Sequence, residues 1–107
     1  MTERVRVAAV GEIPAGTGKG FDVAGRLLAV FHVGDGRYYA TSAVCPHEDG
    51  PLDEGLLEGG PDRPVVTCPW HAFSFDLTTG ACLVDPDLNV PVYPVVLEGS
   101  DLFVELP

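Results

Sequence analysis

Basic residues, cysteine and histidine are all scarce in this chain, and each shortage excludes something. The 107 residues hold six Lys and Arg against sixteen Asp and Glu, a formal net charge of −10. That balance opposes binding to nucleic acid or to anionic membrane surfaces. Three Cys are too few, and odd in number, for a disulfide framework. No apolar run approaches the length of a membrane-spanning helix. The opening Met1-Thr2-Glu3-Arg4-Val5-Arg6-Val7 alternates charge and lacks the apolar core of a signal peptide. Cytoplasm is therefore the expected location. There is no convincing amphipathic helical pattern and no internal repeat.

What is present points to a single β domain spanning residues 1–107. Hydrophobic residues make up 46% of the chain, enough for one core, and 13 Gly with 10 Pro predict many turns between short strands. Arg4 to Val10 alternates early and reads as a strand. Glu12 to Gly20 reads as a Gly-rich connection. Leu27–Val33 and Arg37–Ser42 flank Gly34-Asp35-Gly36, a hairpin signal. Val65–Thr67 and Phe73–Asp76 read as short strands, with a turn at Thr78-Thr79-Gly80. Val90–Leu97 and Leu102–Glu105 read as a final hairpin. Pro91 and Pro94 confine its first strand to an edge or a bulge. The expected fold is all-β, with eight to ten short strands in packed antiparallel sheets. A small subdomain, about residues 44–76, is expected to sit on the larger body.

Within that subdomain stand two paired loops, Cys45-Pro46-His47 and Cys68-Pro69-Trp70-His71. Each offers one thiolate and one imidazole, in the order C-x-H and C-x-x-H. Two sulfur and two nitrogen ligands suit a zinc ion or an iron–sulfur cluster. Zinc modules usually pair Cys with Cys and His with His at short spacings; these loops do not. Loops that each carry one Cys and one His can bring two Cys to one metal and two His to a second, the ligation of a Rieske [2Fe–2S] centre.

On these residues the chain resembles the Rieske [2Fe–2S] ferredoxin family. The resemblance runs from about Leu27 to Glu105 and is tightest at Cys45-Pro46-His47 and at Cys68 to Asp76. It implies a Rieske-like antiparallel β-sandwich with a cluster-binding subdomain. It also implies one [2Fe–2S] cluster, held by Cys45 and Cys68 on the inner iron and by His47 and His71 on the outer iron. The respiratory branch of the family adds one Cys to each loop, and these form a disulfide. Gly50 and Trp70 stand at those positions here. That branch also carries a Ser and a Tyr after the second His, whose hydroxyls bond cluster sulfur and raise the potential. Phe73 and Phe75 stand there in this chain, so a reduction potential near the low end of the Rieske range is expected.

The low-potential branch resembles a ferredoxin, an electron carrier and not an enzyme in its own right. The implied partners are a flavin-containing, NAD(P)H-dependent ferredoxin reductase and a terminal oxygenase. The alternative is the small Rieske subunit of an assimilatory nitrite reductase, bound to a large sirohaem subunit. A Rieske oxygenase is excluded by arithmetic. Its mononuclear iron needs two further His, and of three His only His32 is left over.

Other features read blandly. Gly16-Thr17-Gly18-Lys19-Gly20 lacks the Ser or Thr of a phosphate loop and reads as a flexible turn. His32 ends an apolar strand and reads as a packed histidine. Cys82, in Ala81-Cys82-Leu83-Val84, reads as a buried thiol. Glu48, Asp49, Asp53, Glu54 and Glu58 read either as a solvated turn region or as a docking rim around the metal loops. Pro46, Leu52, Pro69 and Trp70 are expected to form an apolar patch inside it.

Overall fold

A computed structural model describes residues 3–34, 36–44, 51–60, 62–69, 73–85 and 87–106. Ten strands run β1 Glu3–Ala9, β2 Thr17–Val23, β3 Arg26–Gly34, β4 Arg37–Ser42, β5 Leu56–Glu58, β6 Val65–Thr67, β7 Ser74–Asp76, β8 Val92–Tyr93, β9 Val95–Glu98 and β10 Asp101–Leu106. Short 3₁₀ turns at Val10–Glu12 and Leu52–Glu54 are the helical elements among the described residues. The strands form three antiparallel sheets, ordered β1-β10-β9, β2-β3-β4-β8 and β5-β6-β7. The all-β expectation holds.

Strand β3 organises the molecule. Leu28, Ala29, Val30 and Phe31 are each 1% exposed or less, a run buried on both faces. Successive side chains of a strand point to opposite faces, and the packing follows that alternation. Leu28 and Val30 join Ala8, Ile13, Leu102 and Val104 in one core. Ala29 and Phe31 join Leu52, Val66, Cys68 and Phe75 in a second. The four-stranded sheet is thus a middle layer, with the β1-β10-β9 sheet on one side and the β5-β6-β7 sheet on the other. Each buried Leu, Val or Phe contributes about 1.5–3 kcal/mol by leaving water.

Two sequence readings change. Residues 17–20, read as a flexible turn, belong to β2, which pairs with β3 from Thr17↔His32 to Val23↔Arg26. The glycines misled because they serve close approach and not bending. A Cβ on Gly18 would stand 2.4 Å from the Phe31 ring and 3.0 Å from the Asp53 carbonyl. A Cβ on Gly20 would stand 2.9 Å from an Asp53 carboxylate oxygen. Glycine here lets β2 fit against the Leu52–Glu54 turn.

The Val90–Leu97 strand is two strands. Before Pro94, β8 pairs with β4; after it, β9 pairs with β10 in another sheet. Both lie at sheet edges, where Pro is tolerated. The hairpins at β3–β4 and β9–β10 are as expected. So is His32, whose Nδ1 lies 2.9 Å from the Ile13 carbonyl while its ring stacks on Tyr38 at 4.3 Å. Cys82 is buried, and its sulfur accepts a bond from the Asp85 amide.

Candidate metal centre

Of the four expected ligands, Cys68 lies within the described residues. Cys45, His47 and His71 lie outside them, as do Gly50, Trp70, Pro46, Glu48 and Asp49. The structure therefore presents the bases of the two loops.

The second loop rises from the β6–β7 hairpin. Val66↔Phe75 and Thr67↔Ser74 are cross-strand pairs. One residue on, the Cys68 amide donates to the Phe73 carbonyl at 2.7 Å. Cys68 is thereby tied to the end of the sheet ladder at the base of the loop. Its side chain points inward, as Val66 does two residues earlier, and is 1% exposed. Leu52, Val66, Phe75 and Leu77 build the apolar core it belongs to.

The first loop is closed at its base in a similar way. Val44 and Pro51 form an antiparallel bridge. The Leu52 amide donates to the Ala43 carbonyl at 2.8 Å, and the Ala43 amide donates to Leu27 in β3. Leu52 then inserts completely into the Cys68 core. This corrects one expectation: Leu52 is a floor residue and not part of an exposed patch. Its core position follows from the 3₁₀ turn, in which Glu54 takes the outward place. Pro69, Glu54 and Glu58 are exposed. Asp53 departs from the rim, because it lies half-buried against Gly20 of β2.

Gly55 joins the two loop bases. A Cβ there would stand 2.5 Å from the Thr67 carbonyl and 3.0 Å from that of Leu52. Only glycine lets the turn after the first loop pass so close to the strand that carries Cys68. Nothing in sequence periodicity signals this contact.

The one described donor, Cys68, is a buried thiol of the kind a thiolate-ligated cluster uses. A buried cysteine ends a pinned strand, and the second loop's base shares its apolar floor with that of the first. Hydroxyl groups close to Cys68 face elsewhere. Thr67 and Ser74 pair with each other at 2.9 Å on the outer side of the sheet. On the inner side, Phe75 is fully buried and Phe73 packs against the same core. Neither ring has a donor to offer to sulfur.

Asp76 is structural. Its carboxylate accepts bonds from the Thr78 amide at 2.8 Å and hydroxyl at 2.6 Å. The Thr78 hydroxyl bond is the main cause holding its carboxyl below the usual carboxylate range. The Gly80 amide donates to the Asp76 carbonyl, and Gly80, at φ +83°, passes under the Val90 carbonyl. The turn expected at 78–80 is thus locked by Asp76, two residues before it.

The comparisons with known proteins agree with this geometry. The family model of the Rieske [2Fe-2S] domain matches residues 3–94. The 3-phenylpropionate/cinnamic acid dioxygenase ferredoxin subunit of Shigella boydii is 39% identical over 105 residues, 97% of this chain and 94% of that protein. The ferredoxin of carbazole 1,9a-dioxygenase from Nocardioides aromaticivorans superposes with a TM-score of 0.84 at 34% identity, covering 94% of this chain and 95% of that one. A Mycobacterium tuberculosis protein assigned as an NADH-dependent nitrite reductase small subunit superposes with a TM-score of 0.93 at 26% identity, covering 100% and 97%. Among the described residues no helix is long and apolar enough to cross a membrane.

Proposed function

The chain belongs to the Rieske [2Fe–2S] domain family, and from that premise we propose that it is the ferredoxin of a multicomponent oxygenase. Its cofactor is a Rieske [2Fe–2S] cluster, and it carries electrons without catalysing a reaction itself. The observation that carries the oxygenase reading is the 39% identity, over nearly the whole chain, to a dioxygenase ferredoxin subunit.

Cys45 and Cys68 would hold one iron, and His47 and His71 the other, in one domain whose cluster-binding part spans about residues 44–76. Support comes from the buried Cys68 at the end of β6, from its Phe73 bond and from the closed base of the first loop. When bound, the cluster accepts and releases one electron. The chain's own residues do the rest. Leu52, Val66, Phe75 and Leu77 keep water from the sulfur of Cys68. The backbone pins at Cys68–Phe73 and Ala43–Leu52 hold the loop bases in place, so little reorganises between the two oxidation states. The electron donor would be a flavin-containing, NAD(P)H-dependent reductase and the acceptor a terminal oxygenase, in the cytoplasm.

A second reading is favoured by the superposition of 0.93 on the nitrite reductase small subunit. Size-exclusion chromatography of a native extract separates the two. A coloured peak near 11.3 kDa is expected for the free carrier. Co-elution with a large sirohaem-containing subunit would overturn it in favour of the second reading.

A further inference from the structure

The outward face of the β5-β6-β7 sheet lies opposite the core formed by Val66, Cys68 and Phe75. Its register places Leu56, Thr67 and Ser74 side by side across the three strands. The row extends by one more residue. Cys82 bridges Phe75, and the Leu83 amide donates to the Ser74 carbonyl at 2.8 Å. Cys82 faces the core, so Leu83 faces out with Ser74.

The result is a hydroxyl pair flanked by two exposed leucines. Leu56 is 64% exposed and Leu83 60%, and the adjoining Val84 is 60%. These are among the most exposed large apolar side chains described in the protein. Single exposed leucines are ordinary, but aligned ones rimmed by charge mark contact sites.

The charge around them is mostly of one sign. Among the described residues from 51 to 89 there are seven carboxylates, and Arg63 is the one base. In the rest of the described chain six carboxylates are nearly balanced by five bases. Several of those are paired, as Arg4 is with Glu98 and Arg6 with Asp101. Glu54 and Glu58 are exposed beside Leu56, and Asp87 is exposed beyond Leu83 and Val84. Asp62 is paired with Arg37 at 3.1 Å.

We propose that this face docks a basic redox protein, whose Lys and Arg side chains meet the Glu54, Glu58 and Asp87 rim around the Leu56–Thr67–Ser74–Leu83 row. The proposal rests on the electron-carrier reading and deepens it. Thr67 directly precedes Cys68, and Ser74 directly follows Phe73, whose carbonyl the Cys68 amide bonds. A partner seated here stands one residue from the proposed thiolate ligand, beside the loop and not on its tip. Small apolar centres with charged rims suit brief encounters that bury little area, and the opposite charges speed their formation. A second copy of this chain is a poor occupant, because it would bring the same carboxylates against themselves.

The test is a titration of isotope-labelled cytochrome c, a basic one-electron protein, with this protein at low ionic strength. Binding is read from the NMR signals of the cytochrome. The double variant Leu56→Ser/Leu83→Ser is expected to bind about tenfold more weakly. Glu58→Gln/Asp87→Asn is expected to weaken binding and flatten its dependence on salt. The controls Leu97→Ser and Asp22→Asn change exposed residues of the other two sheets and are expected to leave it unchanged. Equal effects in controls and test variants would overturn the proposal, as would no effect in either. So would a dimer on gel filtration that Leu56→Ser/Leu83→Ser dissolves.

Iron and sulfide analysis of the same samples reads the carrier assignment separately. Full cluster with binding unaltered by the test variants overturns the docking face alone. A cluster-free protein that still binds through Leu56 and Leu83 overturns the carrier reading and upholds the face.

Discussion

The amide of Cys68 donates to the carbonyl of Phe73 at 2.7 Å, and this bond closes the loop in which the second proposed imidazole ligand stands. It extends the β6–β7 ladder one residue past its last pair, Thr67↔Ser74. The cysteine side chain is left facing the core while its backbone is still held by the sheet. The same bond fixes Phe73 against that core, where the respiratory branch of the family has a hydroxyl.

The two buried cysteines should therefore behave differently. Cys68→Ser is expected to lose the cluster, seen as loss of visible absorbance and of bound iron. Cys82→Ser is expected to keep both, because Cys82 sits in the core as a small apolar side chain accepting one amide bond. Its cost should be about 1–2 kcal/mol, from placing a hydroxyl among apolar neighbours. Iron lost from Cys82→Ser and kept in Cys68→Ser would reverse the ligand assignment.

The potential should lie near the low end of the Rieske range, at roughly −150 mV, because the rings of Phe73 and Phe75 carry no hydroxyl to offer to sulfur. Phe75→Tyr is expected to raise it by roughly tens of millivolts through a new donor. The ring is fully buried, so the added hydroxyl should also cost about 1–3 kcal/mol in overpacking. Potentiometry on the loaded protein reads the first effect, and denaturant unfolding reads the second. A Tyr variant with an unchanged or lower potential would separate the low potential from the missing hydroxyls.

The parts of this molecule legible in the sequence were those written in short local patterns. Leu27–Val33 and Arg37–Ser42 read as strands, and Gly34-Asp35-Gly36 reads as the hairpin turn between them. Of the Cys and His loops, whose local spacing reads as a ligand set, Cys68 lies within the described residues and is buried at the base of its loop. What stayed hidden depends on contacts between distant segments. Gly18 and Gly20 looked like punctuation because the sequence does not show Phe31 and Asp53 pressing on them. Leu52 looked exposed because its acidic neighbours disguise the one residue of the turn that enters the core. The Leu56–Thr67–Ser74–Leu83 row exists only once the register of β5, β6 and β7 is set.

Gly55 offers a direct test of how the loop bases are coupled. Its φ of −70° is open to any residue, so substitution there meets packing and not backbone strain. A Cβ would stand 2.5 Å from the Thr67 carbonyl, forcing the first loop's turn away from the strand that carries Cys68. Gly55→Ala is expected to cost about 2–3 kcal/mol and to lower iron occupancy. Gly11→Ala, where nothing lies within 4 Å, is the matched control and should be close to neutral. Iron occupancy unchanged in a measurably destabilised Gly55→Ala protein would show that the two loop bases move independently.

Asp76 gives the fold a dependence on acid that a single substitution can expose. Its carboxylate is favoured in the folded state, first by the Thr78 hydroxyl and then by backbone amides and Arg63, so its folded pKa lies below the unfolded value of 3.8. A depressed folded pKa means that the folded state holds the proton more weakly than the unfolded chain does. Its stabilisation is therefore complete above pH 3.8 and fades as the pH falls through the folded pKa. Asp76→Asn keeps the shape but weakens the bonds from Thr78, at a cost of about 1–2 kcal/mol at pH 7. Denaturant midpoints should show that cost at pH 7 and a smaller one at low pH, where the wild-type carboxylate is itself protonated. A gap between the two proteins that stays constant from neutral to strongly acid pH would mean that the turn at 76–80 is held by its backbone bonds and by Gly80, with the charge of Asp76 contributing nothing.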